Sequence, residues 1–257
     1  MPIRRQPSTS RLLVCLCLAL KPAVSLAQTA NPAISLATFH YPPYIDSKAA
    51  DQGALVAIVQ AALKLEDIPV HITVLPWQRL SSLSSSGRFD GVIGVRRHDE
   101  KTLKVRMSQA VFYSVIGFYQ RSQFLTMTSN PLAGRRAGVV AGYSYTPVIW
   151  QLGSNFDQAR DDETNLRKLQ QGRIDIAISE KAVGEALIRQ NRIPRSPALY
   201  WGEVVLAREA LSVGFYNGPL QAYWQQAFER GLQKLQHSGR YREIVASHRL
   251  QDYAAIK

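Results

Sequence analysis

The sequence Tyr41-Pro42-Pro43-Tyr44, followed later by Trp77, supplies flat aromatic faces that can wall the apolar part of a ligand or its cationic end. Pro42 and Pro43 hold the preceding backbone extended, which predicts that Tyr44 is aimed away from the core. Plain packing is the competing reading for all three aromatics. Gly142-Tyr143-Ser144-Tyr145 begins like a serine nucleophile elbow, but the closing glycine is missing and no His/Asp pairing accompanies it, so acyl transfer is disfavoured. Glu180 follows an apolar segment at a helix start, where the helix dipole alone would favour an acid. The histidines at 40, 71, 98, 237 and 248 show no metal-ligand spacing, and no Gly-rich phosphate loop occurs. Neither a metal, a cofactor nor a catalytic residue is expected.

The elements that must hold these residues alternate. Ile34 to Phe39, Val70 to Val74 and Asp90 to Val95 read as strands; Gly53 to Leu65 and the stretch marked by Trp77, Leu80 and Leu83 read as helices. Such alternation predicts an α/β fold with a mostly parallel sheet. An internal echo divides the chain: Gly87-Arg88-Phe89-Asp90-Gly91-Val92-Ile93-Gly94 returns as Gly172-Arg173-Ile174-Asp175-Ile176-Ala177-Ile178-Ser179. Each copy follows a leucine-spaced helix that Gly closes, and each strand ends at the same kind of position. Two similar lobes are the economical explanation. Val111 to Gln120 is long enough to leave one lobe for the other, Leu199 to Leu206 and Leu211 to Phe215 are expected strands, and Asp157 to Asp162 reads as an acidic loop. From Leu220 onward apolar residues recur at helical spacing and form core.

The N-terminus reads as an export signal. Arg4, Arg5 and Arg11 precede an apolar run from Leu12 to Leu20, and small residues lead to an expected cleavage after Ala27. Nine apolar residues are too few to span a bilayer, which needs about 20. Cleavage removes both cysteines and takes the formal charge of the 257-residue chain from +12 to +8, so no disulfide is available to the exported protein. The remaining basic residues are spread along the chain without a basic-aromatic run, which argues against nucleic acid.

Taken in order, Tyr41 to Tyr44, Pro76-Trp77-Gln78-Arg79, Gly87 to Lys101, Met107-Ser108, Gly142 to Tyr145 and Gly172 to Lys181 make the sequence resemble the family 3 extracellular solute-binding proteins, receptors for polar amino acids. The resemblance implies a periplasmic binding protein-like fold of type II, two α/β lobes joined by two crossover strands. Residues 28–119 with 208–257 would form the first lobe, and 120–207 the second. It also implies a cleft whose ligand carboxylate is gripped by an Arg three residues after a Thr; here Lys101 and His98 stand at those positions, and Arg96 could supply the planar fork that lysine lacks. Ser144 would donate to the same carboxylate and Glu180 would pair with the ligand ammonium. Tyr41, Tyr44, Trp77, Gly94 and Tyr145 complete the expected ligand-binding set.

The implied function is capture of a small polar solute, an amino acid or related carboxylate, by a monomeric periplasmic receptor that closes on it and presents it to the membrane permease of an ABC importer. Two alternatives remain open. One is an enzyme on the same scaffold, resembling cyclohexadienyl dehydratases, with Glu180 or His98 as acid or base. The other is a sensory or orphan receptor.

Overall fold

The computed structural model describes residues 31–83, 86–121, 133–143, 145–151 and 155–255. The expected signal, residues 1–27, and the candidate Ser144 lie outside them. Two three-stranded parallel units flank a central antiparallel pair. The first unit holds β1 (Ile34–Thr38), β2 (Val70–Val74) and β3 (Gly91–Val95), with β1 in the middle. The second holds β6 (Arg136–Val140), β7 (Asn155–Ala159) and β8 (Ile176–Glu180), with β6 in the middle. Between them run β5 (Phe112–Gln120) and β10 (Ala207–Tyr216). The full order is β2-β1-β3-β10-β5-β8-β6-β7. Short β4 (Val105–Met107) pairs with β10, and β9 (Tyr200–Trp201) pairs with β5.

β5 and β10 are the two crossovers. Phe112 to Ile116 of β5 pair with Ala207 to Leu211 of β10, and Ile116 to Gln120 go on to pair with β8. In β10, Ser212 to Phe215 continue onto β3, with a register shift between Ser212 and Val213. Each strand therefore belongs to both lobes.

The internal echo is a structural equivalence. Leu36 pairs with Gly91 and Ala37 with Val92, as Ala137 pairs with Ile176 and Gly138 with Ala177. The aspartate that opens each copy bonds the strand beside it in the same way. Asp90 accepts from the Ser35 backbone N–H at 2.8 Å, and Asp175 accepts from that of Arg136 at 2.9 Å. Gly87 and Gly172 both adopt a left-handed conformation, φ +66° and +72°, that a side chain would strain.

In the first lobe α1 (Ala54–Lys64) buries Leu55, Val56, Ile58, Val59, Ala62 and Leu63 against α7 (Gln221–His237) and α8 (Arg240–Ser247). α2 (Trp77–Leu83) and α3 (Asp99–Leu103) complete this half. The second lobe is served by α4 (Pro147–Trp150), α5 (Asp162–Gln170) and α6 (Lys181–Arg189). Two sequence expectations are corrected. Asn155–Ala159 is an edge strand, not the opening of an acidic loop; its polar side chains are tolerated because only β6 pairs with it. The expected strand from Leu199 to Leu206 shrinks to two residues, and β10 begins at Ala207, since the charged Arg208 and Glu209 still make ladder bonds with β5.

Candidate functional site

β3 and β8 run in opposite directions, and their C-terminal ends converge on the crossover pair, Val95 beside Ser212 of β10 and Glu180 beside Ile116 of β5. Glu180 and the residue just beyond β3 meet in the cleft between the lobes. Glu180 is the last residue of β8 and immediately precedes α6. Its carboxylate does not cap that helix. It is 5% exposed and accepts hydrogen bonds from the Tyr44 hydroxyl (2.6 Å to Oε1) and the Tyr41 hydroxyl (3.2 Å to Oε2). Both tyrosines come from the turn between β1 and α1, where Tyr41 and Ile45 exchange backbone hydrogen bonds. Burial pushes the Glu180 carboxyl up to about 7, although the Tyr44 hydrogen bond, the Arg96 charge and the Tyr41 hydrogen bond oppose it.

Arg96 enters from the other lobe, one residue beyond β3. Its Nη2 donates to the Tyr41 hydroxyl at 2.6 Å, its guanidinium lies 5.4 Å from the centre of the Tyr41 ring, and its Nε faces Glu209 Oε2 at 3.3 Å. The Tyr41 hydroxyl thus accepts from Arg96 and donates to Glu180, linking cation to acid across the cleft. Glu209 lies on β10, and its other oxygen is 3.5 Å from His98 Nδ1. The hydrogen bond that His98 donates to the Glu209 carboxylate raises the His98 pKa, with burial opposing it.

Asp162, which the sequence reading passed over, is the first residue of α5 and 6% exposed. Its Oδ1 accepts from the Ser179 hydroxyl at 2.7 Å, and the Tyr143 hydroxyl also bonds to it. Burial raises its pKa against those hydrogen bonds. The signal that could have found it is Asp161-Asp162-Glu163-Thr164: Asp161 caps the helix by accepting from Thr164 N–H at 2.7 Å, so Asp162 must lie at a helix start, where free N–H groups favour an anion.

Tyr41, Arg96, Tyr143, Asp162, Ser179 and Glu180 surround a cavity of about 10 Å³, the room of one water. Tyr41, Tyr143 and Asp162 also border an outer cavity of about 310 Å³ that reaches Asp46, Glu163 and Arg192. A larger cavity of about 400 Å³ opens between Phe89, Lys104, Tyr216 and Trp224, away from these groups. The carboxylate beside it, Asp90, is already taken by a strand N–H, so the cleft cluster is the better candidate.

The remaining expected residues divide into those that reach the cleft and those that do not. Gly94 (φ +91°) lets β3 approach Ile45, and it borders a cavity of about 20 Å³ with Trp77, Tyr41 and Arg96. Tyr145 lines the inner cavity, and its hydroxyl accepts from the Val140 N–H at 2.9 Å. Tyr44 is not aimed away from the core. It is fully buried, its ring 5.3 Å from Phe112 and 6.3 Å from Tyr253, and only its hydroxyl reaches the site. Lys101 is exposed and borders none of the cleft cavities. The phase of α3 explains this: Asp99 and Leu103, four residues apart, are its buried face, and Lys101 falls on the opposite one. Among the described residues no group of three or more His, Cys, Asp or Glu could hold a metal, and no helix is long and apolar enough to cross a membrane.

No protein-family model and no curated protein matches the sequence. Solved structures do match. A histidine kinase sensor domain with similarity to periplasmic binding proteins is 21% identical and superposes with a TM-score of 0.70 over 86% of this chain and 97% of its own. The GluR0 ligand-binding core from Nostoc punctiforme, in complex with L-glutamate, is 14% identical with a TM-score of 0.69 over 84% and 99%. The substrate-binding protein of an amino acid ABC transporter is 18% identical with a TM-score of 0.67 over 84% and 98%. The chain has the periplasmic-binding-protein-like fold, two α/β lobes joined by two crossover strands.

Proposed function

We propose that the protein is a solute-binding receptor of the family 3 type, exported to the periplasm, that captures a small polar solute between its lobes and presents it to the permease of an ABC importer. The observation that carries this reading is the chain Arg96, Tyr41, Glu180. It joins a cation of one lobe to an acid of the other through a single hydroxyl, so a ligand that displaces or extends this contact binds both lobes at once. The fold supports the reading, since its solved neighbours include an amino-acid transporter's substrate-binding protein. The proposed ligand set is Tyr41, Trp77, Arg96, Tyr143, Tyr145, Asp162 and Glu180, with Tyr44 holding Glu180 in place; Lys101 has no part in it. A sensory receptor would use the same cleft and differ in its partner.

A thermal-shift screen of amino acids, polyamines, organic acids and small peptides tests this reading. A ligand at 100 times its Kd adds about 2.7 kcal/mol of stability, a clear rise in melting temperature. Glu180→Ala and Arg96→Ala are each expected to weaken the ligand found by tenfold or more, and no stabilising solute at all would overturn the reading. One observation favours an enzyme instead: a buried carboxyl raised to about 7 is poised to act as a general acid. Incubating the identified ligand with the protein and following it by NMR separates the two, because a receptor returns it unchanged.

A further inference from the structure

We infer that the ligand carries net positive charge, with one cationic nitrogen on Glu180 and a second on Asp162. This rests on the solute-binding reading above and names the class of solute. Both carboxylates are buried at the inner cavity, yet among the described residues neither has a cationic side chain within ion-pair distance; their hydrogen bonds come from tyrosine and serine hydroxyls and, for Glu180, from the Val115 backbone N–H, all of them uncharged. The cation that lines the same cavity, Arg96, is already matched. Its Nε faces Glu209 Oε2 at 3.3 Å and its Nη2 is held by Tyr41, so its charge reaches Glu180 and Asp162 only beyond ion-pair distance.

The balance of charge in the cleft is therefore acidic. A buried anion without a partner costs several kcal/mol, and a ligand cation removes that cost, whereas a ligand of net negative charge adds to it. The aromatic lining agrees, since Tyr143 and Tyr145 border the same cavity and offer rings that a ligand cation can contact, while the Tyr41 ring is already faced by Arg96. The outer cavity has the same sign. It is lined by Asp46, Asp161, Asp162 and Glu163 with His40, Lys48 and Arg192. Glu163 is paired with Arg192 at 2.6 Å and Asp161 with Arg160 at 3.1 Å, and Asp162 is the buried acid there that no cation among the described residues pairs. Asp162 borders both cavities, so a ligand seated on Glu180 runs outward past Asp162. Two nitrogen cations separated by a short apolar chain, as in a basic amino acid or a diamine, fit that path.

The test is calorimetric titration of the purified protein with L-arginine, 1,4-diaminobutane, L-glutamine and L-glutamate. L-Arginine or the diamine is expected to bind at least tenfold more tightly than L-glutamine, with L-glutamate weakest. L-Glutamine or L-glutamate binding as tightly as both cations would overturn the inference while leaving the receptor reading intact. Failure of all four overturns the inference too, and the broader solute screen then decides the receptor reading separately. Asp162→Asn is expected to lower the ratio of cation to glutamine affinity tenfold, and an unchanged ratio in the folded variant would count against the assignment. Should that variant not fold, the ranking measured with the unaltered chain decides.

Discussion

The two echoed strands share a scaffold and differ at their ends. Asp90 and Asp175 clamp the neighbouring strand through the same backbone bond, and the pairing register is the same. Beyond that, β3 delivers Gly94 and then Arg96, while β8 delivers Ser179 and Glu180. Arg96, beyond β3, is balanced by Glu209, while Glu180, at the end of β8, and Asp162, beyond β7, have no cationic side chain in ion-pair contact among the described residues. A repeated framework can thus present one balanced and one unbalanced face to the same cleft, and the unbalanced face is where ligand charge is read.

Breaking the balanced side has the largest expected effect. Glu209→Ala leaves a guanidinium with 13% side-chain exposure facing no strong partner on that side, and a loss of roughly 3–5 kcal/mol in urea unfolding is expected. A loss below about 1 kcal/mol would mean that Arg96 is not balanced by Glu209.

The unbalanced side is tested by pH. A carboxyl raised from 4.5 to about 7 binds its proton more tightly in the folded state. The unliganded protein therefore loses stability as pH rises from about 4.5 to 7, by about 3 kcal/mol at most, and Asp162 acts in the same direction. His98, also raised, loses its contribution as pH climbs above 6.5. Arg96, Tyr41 and Tyr44 face Glu180 but stay in one protonation state over that range. Glu180→Gln should flatten the 4.5 to 7 slope in pH-dependent unfolding. A slope that survives unchanged would assign it elsewhere.

Smaller effects probe the shared scaffold. Asp90→Ala and Asp175→Ala each remove a carboxylate bond to a strand N–H, at about 1–2 kcal/mol, and a similar loss in both variants is what equivalence of the lobes requires. Asp175 also holds exposed Arg136, a pair that adds little in water. Smallest of all, Lys101→Ala should change stability by less than about 0.5 kcal/mol and leave ligand affinity unaltered.

Much of this framework is legible in the sequence, because apolar periodicity and a repeated Gly-Arg-x-Asp signature are local properties. The strands around both echoes, α1 and α7 fall within a few residues of their expected places. The site was less legible where it depends on helix phase or on burial of charge. Lys101 holds the motif position, but the turn of α3 sends it to solvent, while Arg96 gains the cleft merely by following β3. Asp162 sits in an acidic stretch that reads as a solvated loop until Asp161 is seen to cap a helix. Tyr44 shows the reverse: a ring that reads as a ligand wall is core, with its hydroxyl alone at work in the site.

The pair β5 and β10 has a mechanical consequence. Both strands are laced by ladder bonds within each lobe and to each other, so pulling the lobes apart or sliding them past one another would break several bonds together. Twisting the pair about its long axis breaks none. The uninterrupted five-residue pair is thus a stiff axle between the lobes, and the register shift between Ser212 and Val213, just beyond it where β10 passes onto β3, is a local bend in the strand at which a twist would disturb the fewest ladder bonds.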